Sequence, residues 1–149
     1  KIESFIQISN HCPLLLVTDL DSLTCAPRLR AQWMNGRAIP RNLLFRVAVR
    51  EVEAWLMADH EAFGSLVGKA VNFDVEGLAD PKAKLLSLAK GAKREVREDL
   101  VATQGSIASQ GVGYNVRLSS YVRNLWSPSR AASNSESLRR AIARINEIS

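Results

Sequence analysis

The pattern of apolar and polar residues predicts two short strands in the first half of the chain. Residues 14–18 open with four apolar residues in a row, which is typical of a strand buried on both faces of a parallel sheet. Residues 43–49 form the second strand candidate, and they pass without glycine or proline into residues 50–58, whose composition favours a helix. Helical periodicity over residues 2–8 and 25–33 gives an alternation of helices and strands.

After the second strand the periodic segments are all helical. Asp59, Asp80 and Ser135 stand at capping positions, and Pro81 suits the first turn of a helix. We therefore predict an α/β core over residues 1–79 and a helical extension over residues 80–149, packed together as one unit. The helices expected after the second strand cover residues 60–67, 82–90, 93–102, 114–126 and 136–148, with the loosest loop at 105–113 and a turn at 127–128.

Composition is ordinary for a globular protein, with 46% hydrophobic and 23% charged residues in a chain of 149. Every apolar run is far shorter than the ~18 residues that span a bilayer, so we expect no membrane partner. Cys12 and Cys25 stand in no CxxC spacing, which indicates a reducing, cytoplasmic setting. A zinc site from these cysteines with His11 and His60 would match no known ligand spacing.

The net charge of +5 is unevenly distributed along the chain. Residues 82–149 hold twelve Lys or Arg against five Asp or Glu, whereas residues 1–60 are nearly neutral. This asymmetry points to a phosphate-bearing partner. The alternative is a solvated face of helices rich in Lys and Arg.

Paired acids follow both predicted strands, Asp19 with Asp21 after the first and Glu51 with Glu53 after the second. Because the carboxyl ends of parallel strands lie side by side, the two pairs are expected to meet in one crevice. Residues two apart on an extended chain point the same way, so Asp19 and Asp21 would share one cation. A divalent cation removes the repulsion between two ionised carboxylates, and Mg²⁺ is the first choice.

Glu51 and Glu53 have two interpretations. In a complete helix they would lie about 200° apart, so only one would face the crevice. The alternative is a solvated helix face whose acids complement the positive end of the helix dipole.

Three segments resemble a bacterial family of unassigned activity with a Toprim-like fold, often encoded beside ABC-type ATPases in phage-defence operons. They are residues 15–21, residues 46–59, which include the Glu-Val-Glu-Ala-Trp-Leu core, and residues 80–82. Residues 113–114 and 133–140 also resemble that family, so the likeness covers most of the chain. The resemblance implies a Toprim-like (Rossmann-like) parallel sheet.

The resemblance also implies an activity, because Toprim nucleases use an Asp-x-Asp pair and a glutamate on Mg²⁺. By this likeness Asp19 and Asp21 would be ligands of Mg²⁺ (or Mn²⁺), with Glu51 or Glu53 as third ligand or as acid/base. The implied partners are nucleic acid, DNA rather than RNA, and an ABC-type ATPase subunit. One departure is that no strand–Glu–Gly segment precedes Asp19, so we expect the first strand of the fold to be missing.

Further polar residues are candidates near this site. Lys82 and Lys84 would contact phosphates from the start of a helix, although exposed helix lysines are the simpler interpretation. Tyr114, Ser133 and Ser137 are expected to link the helical extension to the crevice.

Two other functions remain open. The acids could be structural in a non-catalytic subunit that binds an ATPase or nucleic acid. Alternatively, Asp19 would be the nucleophile and Asp21 the acid of a haloacid-dehalogenase-type phosphatase. That motif requires Thr or Val two residues after the second Asp, where this chain has Leu23, with Thr24 one position late.

Overall fold

A computed structural model describes residues 2–147 as helices around a small parallel sheet. Its first part alternates helices and strands, and every later element is helical, as the sequence predicted. The elements are α1 (Ile2–Ser9), β1 (Leu14–Asp19), α2 (Ala26–Met34), β2 (Leu43–Ala48), α3 (Val52–Ala58), α4 (His60–Val67), α5 (Pro81–Ala89), α6 (Arg94–Leu100), α7 (Tyr114–Asn124), α8 (Pro128–Ala132) and α9 (Glu136–Asn146).

The sheet within the described residues consists of β1 and β2, which pair in parallel through the α2 crossover. The register aligns Leu14 with Leu43 and Asp19 with Ala48. Both strands therefore end at the same edge, as expected. The predicted small parallel sheet and helical C-terminal part are confirmed.

The expectation that β1 is buried on both faces is wrong. Leu14 and Leu16 join a hydrophobic cluster with residues of α1, α2 and β2. The opposite face of β1 is largely open, since the Leu15 side chain is 47% exposed and Val17 is 38% exposed. On that face α9 packs against β2. A run of apolar residues reports a preference for burial, and it does not report whether a covering element exists.

Local capping signals set several helix boundaries. Asp59, Asp80 and Ser135 each accept a hydrogen bond from a main-chain N–H of the helix they precede, as predicted. The turn predicted at residues 127–128 is instead the start of α8, because Ser127 caps it and Pro128 occupies its first turn.

Three other helices end earlier than predicted. Helix α6 ends at Leu100, because Val101 turns away to form an isolated antiparallel bridge with Gln110. Helix α7 ends at Asn124, and α9 ends at Asn146. The end predicted for the last helix, at Ile148, lies outside the described residues.

The larger hydrophobic cluster runs from Ala48 in β2 to Ala141 in α9, and it joins the two predicted parts of the chain. Helix α3 is central to this cluster, since it packs against α4, α5, α8 and β2. None of the described helices is both long enough and apolar enough to cross a bilayer.

A fully buried carboxylate fastens α8 to the end of α3. Asp59 accepts two hydrogen bonds from the Arg130 guanidinium, at 2.9 and 2.8 Å, and one from the main-chain N–H of Ser127 at 2.7 Å. The main-chain N–H of Ala62, in α4, also donates a hydrogen bond to Asp59. Burial alone would raise the pKa of Asp59, but these donors hold it below its ordinary value.

Replacing Asp59 should therefore destabilise the fold strongly. We expect Asp59→Ala to lower the free energy of unfolding by about 3 kcal/mol, the lower end of the range for a broken buried ion pair, since Arg130 can still reach water. Urea unfolding followed by circular dichroism measures this. In contrast, Glu98→Ala, which removes an exposed ion pair with Arg94, should leave stability unchanged within error. Equal effects of the two substitutions would contradict the structural role of Asp59.

Candidate functional site

The predicted acids of the two strands meet at the start of α3. Asp19 is the last residue of β1, and its Oδ1 accepts a hydrogen bond of 2.7 Å from the main-chain N–H of Val52. Val52 lies between Glu51 and Glu53 in the chain. The carboxylate from the first strand therefore caps the helix that follows the second strand, a contact that the sequence did not predict, and it lies beside the acids after that strand.

Negative charge is crowded around Asp19. Burial raises the pKa of its carboxyl, and the charges of Glu53 and Asp21 raise it further. The Val52 N–H and the Lys82 ammonium act in the opposite direction without restoring the ordinary value. Among the described residues Asp19 has no arginine or lysine ion pair, so the charge of Lys82 compensates this repulsion only in part.

Glu51 belongs to the same cluster and lies outside the helix. Its backbone is extended, and α3 begins one residue later, so the expected 200° separation from Glu53 does not apply. Oε2 of Glu51 accepts a hydrogen bond of 2.8 Å from the main-chain N–H of Lys82, in the first turn of α5. Burial raises the pKa of Glu51, and the charges of Glu53, Asp80 and Asp19 contribute in the same direction.

Glu53 faces the helical part of the protein. Its side chain is buried, and Oε1 accepts a hydrogen bond of 2.7 Å from the Tyr114 hydroxyl at the start of α7. Burial and the hydrogen bond to this carboxylate raise the pKa of Tyr114 far above its ordinary value, so the phenol stays protonated and remains a donor. Tyr114 thus provides the predicted link between the extension and the crevice.

The two serines expected to share this link lie elsewhere. Ser137 accepts a hydrogen bond from Trp55 Nε1 at 2.8 Å and donates to Glu76. The Ser133 hydroxyl donates to the Ser129 carbonyl.

Asp21 does not continue the strand direction of Asp19, which corrects the expectation of two carboxylates aligned on an extended chain. The strand ends at Asp19, and Asp21 lies in a turn with a left-handed backbone, φ 50°. Main-chain hydrogen bonds from Leu20 and Asp21 to the Arg50 carbonyl hold this turn. Asp21 is exposed, and its charge still acts on Asp19.

The two lysines predicted to bind substrate are separated. Lys82 Nζ lies 5.2 Å from the centroid of the Tyr114 ring, and its charge acts on Asp19. Lys84 Nζ lies 5.1 Å from the centroid of the Phe73 ring. Two residues apart on a helix point to different sides, so the structure brings only Lys82 to the acids.

The donor chemistry of this site fits a hard cation, because all its side-chain donors are carboxylate oxygens. Within residues 2–147, however, no group of three or more His, Cys, Asp or Glu is arranged as a metal-ligand set, and this includes the zinc combination considered above. Mg²⁺ is commonly held by one or two carboxylates with water completing its shell. A site with Asp19 and one further carboxylate meets that requirement.

The repulsion around Asp19 should change how the free energy of unfolding depends on pH. A raised folded-state pKa means that the folded protein binds a proton more readily than the unfolded chain, so ionisation costs stability as the pH rises above 3.8, the ordinary value. We expect Asp19→Asn, which keeps an oxygen to accept from Val52, to raise the free energy of unfolding at pH 7. The gain should vanish below pH 3.8. Denaturant titrations across this pH range measure the difference.

Asp74→Asn is the matched control, because Asp74 also accepts one main-chain N–H, from Glu76 at 3.1 Å, outside the acidic site. A loss of stability at pH 7 in Asp19→Asn, or an equal gain in the control, would contradict this account of the site.

Comparisons of the chain with protein-family models, with curated proteins and with solved structures found no match.

Proposed function

We propose that this chain is a divalent-cation-dependent phosphodiesterase of the Toprim type that cuts nucleic acid, with DNA as the favoured substrate. The supporting observation is the meeting of Asp19 with Glu51 and Glu53 where two parallel strands end, with the pKa values of Asp19 and Glu51 both raised. Carboxylates crowded at such an edge are typical of functional sites. Their mutual repulsion destabilises the fold, so stability alone would not favour this arrangement.

Each acid has a role in this proposal. Asp19 and Asp21 would hold Mg²⁺ (or Mn²⁺), and the metal, when bound, would supply positive charge beside the phosphodiester and lower the pKa of an attacking water. Glu51 is the better candidate for the base, because burial raises its pKa above the ordinary value and its Oε1 accepts no hydrogen bond from the described residues. Glu53 is buried against Tyr114 and orients the site. Lys82 contacts a substrate phosphate beside the acids, and Lys84 is a less direct candidate.

On the strength of the resemblance, we propose that this activity belongs to a phage-defence system in the cytoplasm, with an ABC-type ATPase as partner. The surplus of basic residues in the second half of the chain is compatible with a nucleic acid substrate.

A non-catalytic subunit that binds nucleic acid or an ATPase is the second candidate, and a specific observation favours it. Asp19 caps α3, Glu51 bonds the first turn of α5, and Glu53 bonds α7 through Tyr114. Such contacts would retain the acids for structural reasons alone.

Cleavage assays separate the two candidates. With Mg²⁺ or Mn²⁺ and labelled DNA, we expect wild-type cleavage that EDTA abolishes, and a decrease of at least about 100-fold in Asp19→Asn and in Glu51→Gln. Asp74→Asn should cut at the wild-type rate. Calorimetric titration with Mn²⁺ should show binding to the wild type and weakened binding to Asp19→Asn.

Unchanged cleavage in Asp19→Asn would refute the assigned site. A wild-type chain that binds DNA but cuts neither DNA nor RNA with any divalent cation would support the non-catalytic subunit instead.

A further inference from the structure

Four arginines gather at the edge of β2 that faces away from β1. Arg30 of α2, Arg46 of β2 and Arg140 of α9 line a cavity of about 160 Å³. Arg144 of α9 lies close enough to act electrostatically on Arg46. We call this cavity the arginine pocket.

The positive charge of the arginine pocket is only partly balanced. Arg140 pairs with Glu136 at 2.7 Å, and Arg144 pairs with Glu147. Arg30 and Arg46 form no ion pair with any described residue. These two guanidinium groups are therefore not directly paired with a carboxylate, although the charge of Glu147 acts on Arg46.

Arg46 has the least favourable surroundings of the four arginines. Its Nε is buried and has no hydrogen-bond partner among residues 2–147, although a buried donor without a partner is costly and rare in native proteins. Burial lowers the pKa of Arg46, and the charges of Arg30 and Arg144 lower it further, while the charge of Glu147 opposes them without restoring the ordinary value. An anion in the pocket would offset this repulsion between the guanidinium groups.

The main chain of β2 adds donors to the same pocket. The main-chain N–H of Leu14 donates to the Asn42 carbonyl, and that of Leu20 donates to the Ala48 carbonyl. The main-chain N–H and C=O groups of even-numbered residues in β2 therefore point toward β1. The N–H groups of Phe45 and Val47 therefore point to the outer edge, and no described residue accepts from them. Both residues line the arginine pocket.

We infer that the arginine pocket binds a backbone phosphate of the nucleic acid strand on which the acidic site acts. The guanidinium fork matches a phosphate with two parallel hydrogen bonds. Arg46 lies on the strand whose end carries the acids, two residues before Ala48, the partner of Asp19. The Cα atoms of Arg46 and Asp19 are thus ~8 Å apart by strand geometry, a spacing that one or two nucleotides can bridge. The choice of nucleic acid as ligand rests on the proposed function.

Binding measured without cleavage tests this inference. Anisotropy of a fluorescein-labelled single-stranded oligonucleotide in EDTA should show about fivefold weaker binding to Arg46→Gln at 0.1 M salt, the effect of one lost phosphate contact. The slope of log affinity against log salt concentration should become shallower by about 0.7. The control is Arg97→Gln, which changes an exposed arginine of α6 with no ion pair among the described residues, and it should leave both quantities unchanged.

Melting in inorganic phosphate tests whether the pocket binds an anion that is not part of a nucleic acid strand. Phosphate should raise the Tm of the wild type above its value in chloride at equal ionic strength, and Arg46→Gln should abolish this difference. The variant should melt no lower than the wild type in chloride, because it removes an uncompensated charge.

The results separate this inference from the proposed function. Wild-type affinity and salt slope in Arg46→Gln would overturn the inference even if the protein cuts DNA. Arg46-dependent strand binding without cleavage would support it while the proposed activity fails. Stabilisation by phosphate without Arg46-dependent strand binding would identify a site for a free anion. Arg46-dependent binding of an acidic peptide, without binding of the oligonucleotide, would identify a protein ligand. Either result would refute the inference.

Discussion

The hydrogen bond from the Val52 N–H to the Asp19 carboxylate joins the two halves of the proposed site. It connects the end of β1 to the beginning of α3, so an acid from one strand and the acids after the other share one place. Helix α3 is held at its far end by another carboxylate, that of Asp59, which α8 approaches with Arg130. The position of this short helix therefore depends on charged groups at both ends, with Trp55 and Met57 buried between them.

Partly unbalanced charges of opposite sign lie at two places on β2, its end and its outer edge. Carboxylates crowd the end where both strands finish, and arginines crowd its outer edge. Each cluster costs stability while its charge is only partly compensated, because like charges in a partly buried site repel strongly. A cation beside the acids and an anion beside the arginines would relieve both, which is what the proposed function and the inferred phosphate contact require.

The helical second half of the chain takes part in both clusters. Lys82 and Tyr114 supply donors to Glu51 and Glu53, while Arg140 and Arg144 contribute to the arginine pocket. These helices thus complete the environment of residues from the first half, beyond covering an apolar surface. The shared hydrophobic cluster, which runs across the predicted boundary at residue 79, gives the same picture.

The sequence by itself determined the parallel strands, most helices and the adjacency of the two acid pairs, because periodicity, capping residues such as Asp80 and strand-end position are local properties. Tertiary structure alone decided the open face at Leu15, the turn that redirects Asp21, and the partner of Asp59, which lies 71 residues away in the chain. It also decided the arginine pocket. These features depend on which distant elements pack together, and local patterns of residue type do not encode that choice.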